Sequence, residues 1–157
     1  MRITTKGRYG LRAMLALANA SLDGAPVSIK TISELEEISA EFLEQIFFRL
    51  RKAGLISSVR GPSGGFFFAR SLDDITLKDI IDASGEGVSI APCICGKNAD
   101  CNRKSDCEAG RIWDDMSDYI NCYLSSKSLA QLLKPDSTAQ SPSPAKSSKP
   151  HPKAPKA

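Results

Sequence analysis

The sequence predicts a mainly α-helical chain with one small β-hairpin (α+β), on two observations. Apolar residues recur at helical spacing in stretches around 8–20, 28–52, 76–83 and 108–124. Between the second and third of these, a strand-like run, a Gly-Pro-Ser-Gly-Gly turn and a Phe-Phe-Phe run follow in succession, as a hairpin requires.

Residues 8–20 place Leu11, Met14, Leu15 and Ala18 at helical spacing, and Asp23-Gly24 and Pro26 then break the chain. Ser28 is the expected N-cap of a short helix with Ile32 and Leu35 on its inner face. Ile38-Ser39 reads as a tight turn. Ser39 then caps a longer helix to about Lys52, with an apolar stripe of Phe42, Leu43, Ile46, Phe47 and Leu50. Two helices so joined form a helix-turn-helix pattern. Leu55-Ile56-Ser57-Ser58-Val59-Arg60 is the first strand, Gly61-Pro62-Ser63-Gly64-Gly65 the turn and Phe66-Phe67-Phe68 the second strand. A hairpin here could simply cover the core. Its place after the second helix, with Arg60 beside flexible glycines, favours a wing.

Thr76 to Ala83 is a short helix with Leu77, Ile80 and Ile81 inward, ended by Ser84-Gly85-Glu86-Gly87. A cysteine-rich loop with little periodicity follows. From about Glu108 to Leu124 a long amphipathic helix carries Ile112, Met116, Tyr119, Ile120 and Tyr123 on one stripe and Asp114, Asp115 and Asp118 off it. With the core already assigned, that stripe needs another surface, which a second copy would supply. Leu129 to Leu133 add a last turn. Beyond Lys134 the Ser/Pro/Lys/Ala tail has no aliphatic or aromatic anchor and is expected to be disordered. The resulting division is a winged helix-turn-helix domain at 1–84, a cysteine-rich loop at 85–107, a dimerisation helix at 108–134 and the basic tail at 135–157.

Charge separates these regions. Residues 1–70 carry ten Lys/Arg against six Asp/Glu, and residues 71–134 carry seven against eleven. A basic first half beside an acidic second suggests that the first meets a polyanion. On the second helix, the face opposite the stripe holds Glu41, Glu44, Gln45, Arg49 and Lys52. Ser39, Glu41, Glu44 and Gln45, in its first turns, are candidates for reading base edges of double-stranded promoter DNA. Arg49, Arg51 and Lys52 suit phosphates and Arg60 a minor groove. Arg2, Lys6, Arg8 and Arg12 enlarge the basic surface.

Cys93, Cys95, Cys101 and Cys107 lie within fifteen residues, the last three as C-x5-C-x5-C. Thiolates so gathered suit zinc or an iron–sulphur cluster. No run of about 18 apolar residues and no signal-peptide pattern is present, so a cytoplasmic protein with no membrane partner is expected, where a disulfide framework is disfavoured. The x5 spacing fits structural zinc poorly, although a constitutive DNA-binding protein with a zinc knuckle stays open. With no C-x-x-C and its single histidine, His151, in the tail, the chain is not expected to be a thiol enzyme or to take a small-molecule substrate.

Met1-Arg2-Ile3-Thr4-Thr5-Lys6-Gly7-Arg8-Tyr9-Gly10, Leu43-Glu44-Gln45, Arg49-Leu50-Arg51-Lys52-Ala53-Gly54-Leu55 and Val59-Arg60-Gly61-Pro62-Ser63-Gly64-Gly65 together resemble the IscR/NsrR/CymR-type family of winged-helix transcription regulators. The resemblance runs from Met1 to roughly Leu133. It implies a homodimeric DNA-binding regulator, a repressor, with Glu44 and Gln45 on the recognition helix and Arg60 on the wing. Cluster-binding members carry three cysteines before the dimerisation helix. Cys95, Cys101 and Cys107 match that set, and Trp113 matches a tryptophan of the cluster-biogenesis branch, whereas the cysteine-metabolism branch lacks the set. An iron–sulphur cluster is thereby implied, [2Fe–2S] rather than [4Fe–4S], governing cluster-biogenesis or electron-transfer genes.

The departure lies in the fourth ligand. The biogenesis branch has C-x2-H, where this chain has Gly110; the nitric-oxide-sensing branch uses a first-helix carboxylate, where this chain has Arg8. Cys93 is the nearest thiolate and the favoured substitute. Glu108, Asp106 and Asp100 are oxygen alternatives, and a centre with three protein ligands also stays open. Cys122 is expected to be a small buried hydrophobe.

Overall fold

The computed structural model describes residues 5–21, 24–85, 90 and 107–134. Arg2, Cys93, Cys95, Cys101, Asp100, Asp106 and the tail from Pro135 lie outside the described residues. The elements are α1 (Thr5–Ala20), α2 (Ile29–Glu36), α3 (Ala40–Lys52), β1 (Ile56–Val59), β2 (Gly65–Phe68), α4 (Leu77–Ala83), α5 (Glu108–Ser125) and α6 (Leu129–Leu133). This is a mainly helical chain with a two-stranded antiparallel hairpin, as the sequence predicts.

Helix α1 starts three residues before the expected point and buries Gly7, Gly10, Ala13, Met14, Ala16 and Leu17. The face expected from Leu11, Met14, Leu15 and Ala18 is therefore rotated, with Leu11, Leu15 and Ala18 half-buried at its flank. Close approach is the reason. A methyl group placed on Gly10 would collide with Ser84 Oγ at the end of α4, so the packed face combines small residues, where α4 approaches, with the fully buried Met14 and Leu17.

Ser28 and Ser39 cap as predicted: Ser28 Oγ accepts from Thr31 N at 3.1 Å and Ser39 Oγ from Phe42 N at 3.4 Å. The turn begins one residue earlier than Ile38-Ser39, because Glu37 adopts a left-handed conformation with φ of 55°. That reversal sends Ile38 into the core, and Ser33 Oγ donates to its carbonyl at 2.6 Å. Leu35, expected inward, is 60% exposed; α2 spans only eight residues and buries Ile32, with Ile38 filling the space after the turn. Along α3, Leu43, Ile46, Phe47 and Leu50 are buried, and Phe42 is half-buried with its ring edge-on to Tyr9 at 5.7 Å.

The hairpin pairs Ile56 with Phe68 through to Val59 with Gly65. Val27 and Phe66 exchange both backbone hydrogen bonds, at 2.9 and 2.8 Å, so the connection before α2 holds β2 from its other side. Glycine is required at 65 for this approach, since any Cβ there would fall on the backbone of Val27. The Phe66 ring meets Phe47 edge-to-face at 4.8 Å and joins hairpin to helix core.

A capping box between Thr76 and Asp79 opens α4. Helix α5 then runs along α4 with only Ser117 buried, and Ile112, Met116, Tyr119 and Tyr123 lie exposed on the chain. The chain afterwards returns to the head. Leu129 is fully buried, its N–H donates to Ile75 O at 2.8 Å, and Leu77 N–H donates to Lys127 O at 2.9 Å. Residues around 129, which the sequence suggests as an extension of the long helix, thus pack into the winged head. Among the described residues no helix is long and apolar enough to cross a membrane.

Candidate nucleic-acid interface and cysteine site

The outward face of α3 gathers most of the expected reading residues. Glu41, Glu44, Gln45, Phe48, Arg49 and Lys52 line one open depression. Of these, Glu41, Glu44, Gln45, Phe48 and Lys52 are exposed, while Arg49 is half-buried because its Nη1 donates to Ser84 O at 3.0 Å. Arg49 therefore braces α3 against the end of α4. Ser39 lies at the foot of the same helix, its hydroxyl engaged as the N-cap. Arg60 stands exposed just past the end of β1. Arg51 links helix to hairpin, its Nη1 donating to Ser58 Oγ at 3.1 Å.

Phe48 is not among the residues that the sequence marks for DNA reading. It is 59% exposed, and its ring centroid lies 6.0 Å from the Arg51 guanidinium carbon. A signal for it exists: once Phe42, Leu43, Ile46, Phe47 and Leu50 are assigned inward, helical spacing leaves Phe48 on the outer face.

Arg12 has another task. Its Nε meets Glu36 Oε2 at 2.8 Å and its Nη2 donates to Glu36 O at 2.7 Å, closing the C-terminal end of α2. Substituting Lys52 by Ala is expected to lower the slope of log affinity against log salt by about 0.9 for each bound subunit, the effect of leaving one phosphate per subunit un-neutralised. Substituting Arg12 by Ala should leave that slope unchanged. Operator titrations at several salt concentrations check both.

Cys107 is the N-cap of α5, half-buried, and its Sγ accepts from Gly110 N at 3.3 Å. A Cβ on Gly110 would sit 3.6 Å from that sulphur. Position 110, where the resemblance leads one to look for histidine, is thus adjacent to the thiol, and glycine offers no ligand there. Glu108 and Arg8 are both exposed. Cys122 is exposed on the chain rather than buried as expected, since Ser117 is the one residue of α5 that the rest of the chain buries. Among the described residues no three His, Cys, Asp or Glu side chains gather around a metal position.

Residues 3–135 match the family profile Rrf2, iron-dependent transcriptional regulator. The HTH-type transcriptional regulator IscR of Photobacterium profundum is 44% identical over 134 residues, covering 85% of this chain and 76% of that protein. IscR of Photorhabdus laumondii is also 44% identical, over 133 residues, covering 85% and 79%. Among solved structures, IscR of T. potens superposes with a TM-score of 0.67 at 34% identity, covering 85% of this chain and 86% of its own. CymR, the global cysteine regulator of B. subtilis, gives 0.66 at 31% identity, covering 85% and 96%.

Proposed function

Because this chain belongs to the Rrf2 family of transcriptional regulators, we propose that it is a homodimeric, cytoplasmic repressor whose grip on promoter DNA responds to a cysteine-held iron–sulphur cluster. The chain is a DNA-binding regulator of transcription and not an enzyme. Each subunit would place one α3 in the major groove of a half-site, the two half-sites about 34 Å apart. Glu44 and Gln45 would read bases, with Ser39 and Glu41 beside them, while Lys52 and Arg60 hold the backbone and the adjoining minor groove.

The observation that carries the sensing half is the position of Cys107. It is at once a thiol and the cap of the helix whose exposed apolar stripe offers the subunit contact. Its sulphur already accepts a backbone N–H, as a thiolate ligand in a protein site commonly does. Cys95, Cys101 and Cys107 would hold the cluster, [2Fe–2S] in preference to [4Fe–4S], with Cys93 as the favoured fourth ligand. When bound, such a cluster supplies a redox-active and removable centre.

The chain's own residues do the rest. Cys107 Sγ, as a ligand, would hold the first turn of α5 that it caps, and α5 packs on α4. The C-cap of α4 is Ser84, whose carbonyl receives Arg49 from α3. Ligation would thereby bias the spacing of the two recognition helices, and a coupling of about 1–3 kcal/mol suffices to change operator occupancy. Genes of cluster assembly or electron transfer are the expected targets.

Anaerobic preparation with metal and sulphide analysis tests this. Coloured protein containing iron and acid-labile sulphide is expected, with the colour lost in Cys95→Ala, Cys101→Ala and Cys107→Ala. A Cys93→Ala spectrum equal to wild type would remove Cys93 as fourth ligand. Colourless protein with stoichiometric zinc would overturn the cluster.

A further inference from the structure

We infer that Phe48 reads DNA directly, its ring packing on the 5-methyl group of a thymine beside the base pair that faces Gln45 in each half-site. The inference rests on α3 being the DNA-reading helix and adds a specificity contact to it.

The helix carries three phenylalanines with separate surroundings. Phe47 is fully buried against Phe66, and Phe42 is half-buried against Tyr9. Phe48 alone is turned out, in the depression shared with Glu44, Gln45 and Lys52. It lies three residues after Gln45 and four before Lys52, hence on one stripe of the helix surface with both. The ring is held on that stripe by a cation over one of its faces: the Arg51 guanidinium carbon lies 6.0 Å from its centroid, and Arg51 is itself tied to Ser58 of β1.

What could cover it follows from the surroundings. Glu41, Glu44, Arg49 and Lys52 ring the depression with both signs of charge, which suits the polar floor of a duplex groove better than an apolar protein surface. Phe48 lies seven residues from Glu41, about 10 Å along the helix axis, within a major groove about 12 Å wide. In that groove the base edges present hydrogen-bonding atoms and a single apolar group, the thymine methyl. An aromatic ring centred there has only that group to desolvate against.

The test removes the methyl and nothing else. Operators are selected from a random duplex pool with the full-length protein, and each thymine of the selected site is then replaced in turn by deoxyuridine. One thymine per half-site is expected whose replacement weakens wild-type binding about fourfold, the effect of one buried methyl. The same replacement should leave Phe48→Ala binding unchanged, whereas Gln45→Ala should keep the penalty. A flat scan for wild type, or equal penalties in wild type and Phe48→Ala, overturns the inference while leaving α3 as the reading helix. Retention of no duplex from the pool overturns both. Phe48→Ala melting at the wild-type temperature confirms that the comparison concerns the interface.

Discussion

Replacing Met116 and Tyr119 together by glutamate is expected to convert the proposed dimer to a monomer and to weaken operator binding by at least about 100-fold. Both side chains are substantially exposed on the single chain, 43% and 55%, so their replacement leaves the packing of the head intact. In a dimer built on the α5 stripe the same positions become buried, and two carboxylates from each subunit would have to leave water without partners. Binding to a palindrome draws on linkage of its two heads: once one half-site is occupied, the second binding is intramolecular and gains several orders of magnitude. Sedimentation velocity should report half the wild-type mass, with unchanged helical circular dichroism. A double variant that sediments as a dimer would place the subunit contact elsewhere.

The second large effect is on stability. Phe47→Ala is expected to cost about 4 kcal/mol, read as a fall in the urea midpoint. Phe47 is fully buried, and its neighbours include Phe66 of the hairpin at 4.8 Å, so truncation opens a cavity where the helices meet the wing. Against a total stability of about 5–15 kcal/mol, that loss leaves a marginal fold. A midpoint within experimental error of wild type would mean that the site collapses around the missing ring, contrary to the packing described above.

Much of the architecture was legible in sequence because its signals are local. Ser28 and Ser39 announce their helices through the hydroxyl each offers to a backbone N–H, and both cap as expected. The hairpin declares itself through the glycines of 61–65 between two apolar runs. Long-range packing was not legible. The inner face of α1 includes Gly7, Gly10 and Ala13 beside Met14 and Leu17, and such small residues carry little weight in a pattern of large apolar ones. Leu35 lies outside because Glu37 turns the chain early and gives its place to Ile38, a conformation that glutamate does not advertise. Leu129 returns to the head through its backbone bond to Ile75 and that of Leu77 to Lys127, a pairing between segments about fifty residues apart.

The candidate site divides in the same way. Helical periodicity placed Glu41, Glu44, Gln45 and Lys52 on one open face, where the structure has them. It could not foretell that Arg49 braces α4, nor that Arg12 closes α2, since both depend on carbonyls supplied by distant segments. Cys107 shows the reverse. Its place in the C-x5-C-x5-C spacing was plain, whereas its role as helix cap emerges only from Sγ accepting the N–H of Gly110.

The proposed link between the winged head and the cysteines predicts a difference in operator affinity between cluster-loaded and cluster-free protein. Anisotropy of a labelled, selected operator, titrated without oxygen at equal dimer concentrations, reads that difference. An affinity change of about fivefold or more, reversed on reconstitution with iron and sulphide and absent in Cys107→Ala, is predicted. Superimposable isotherms for loaded and stripped protein would contradict it.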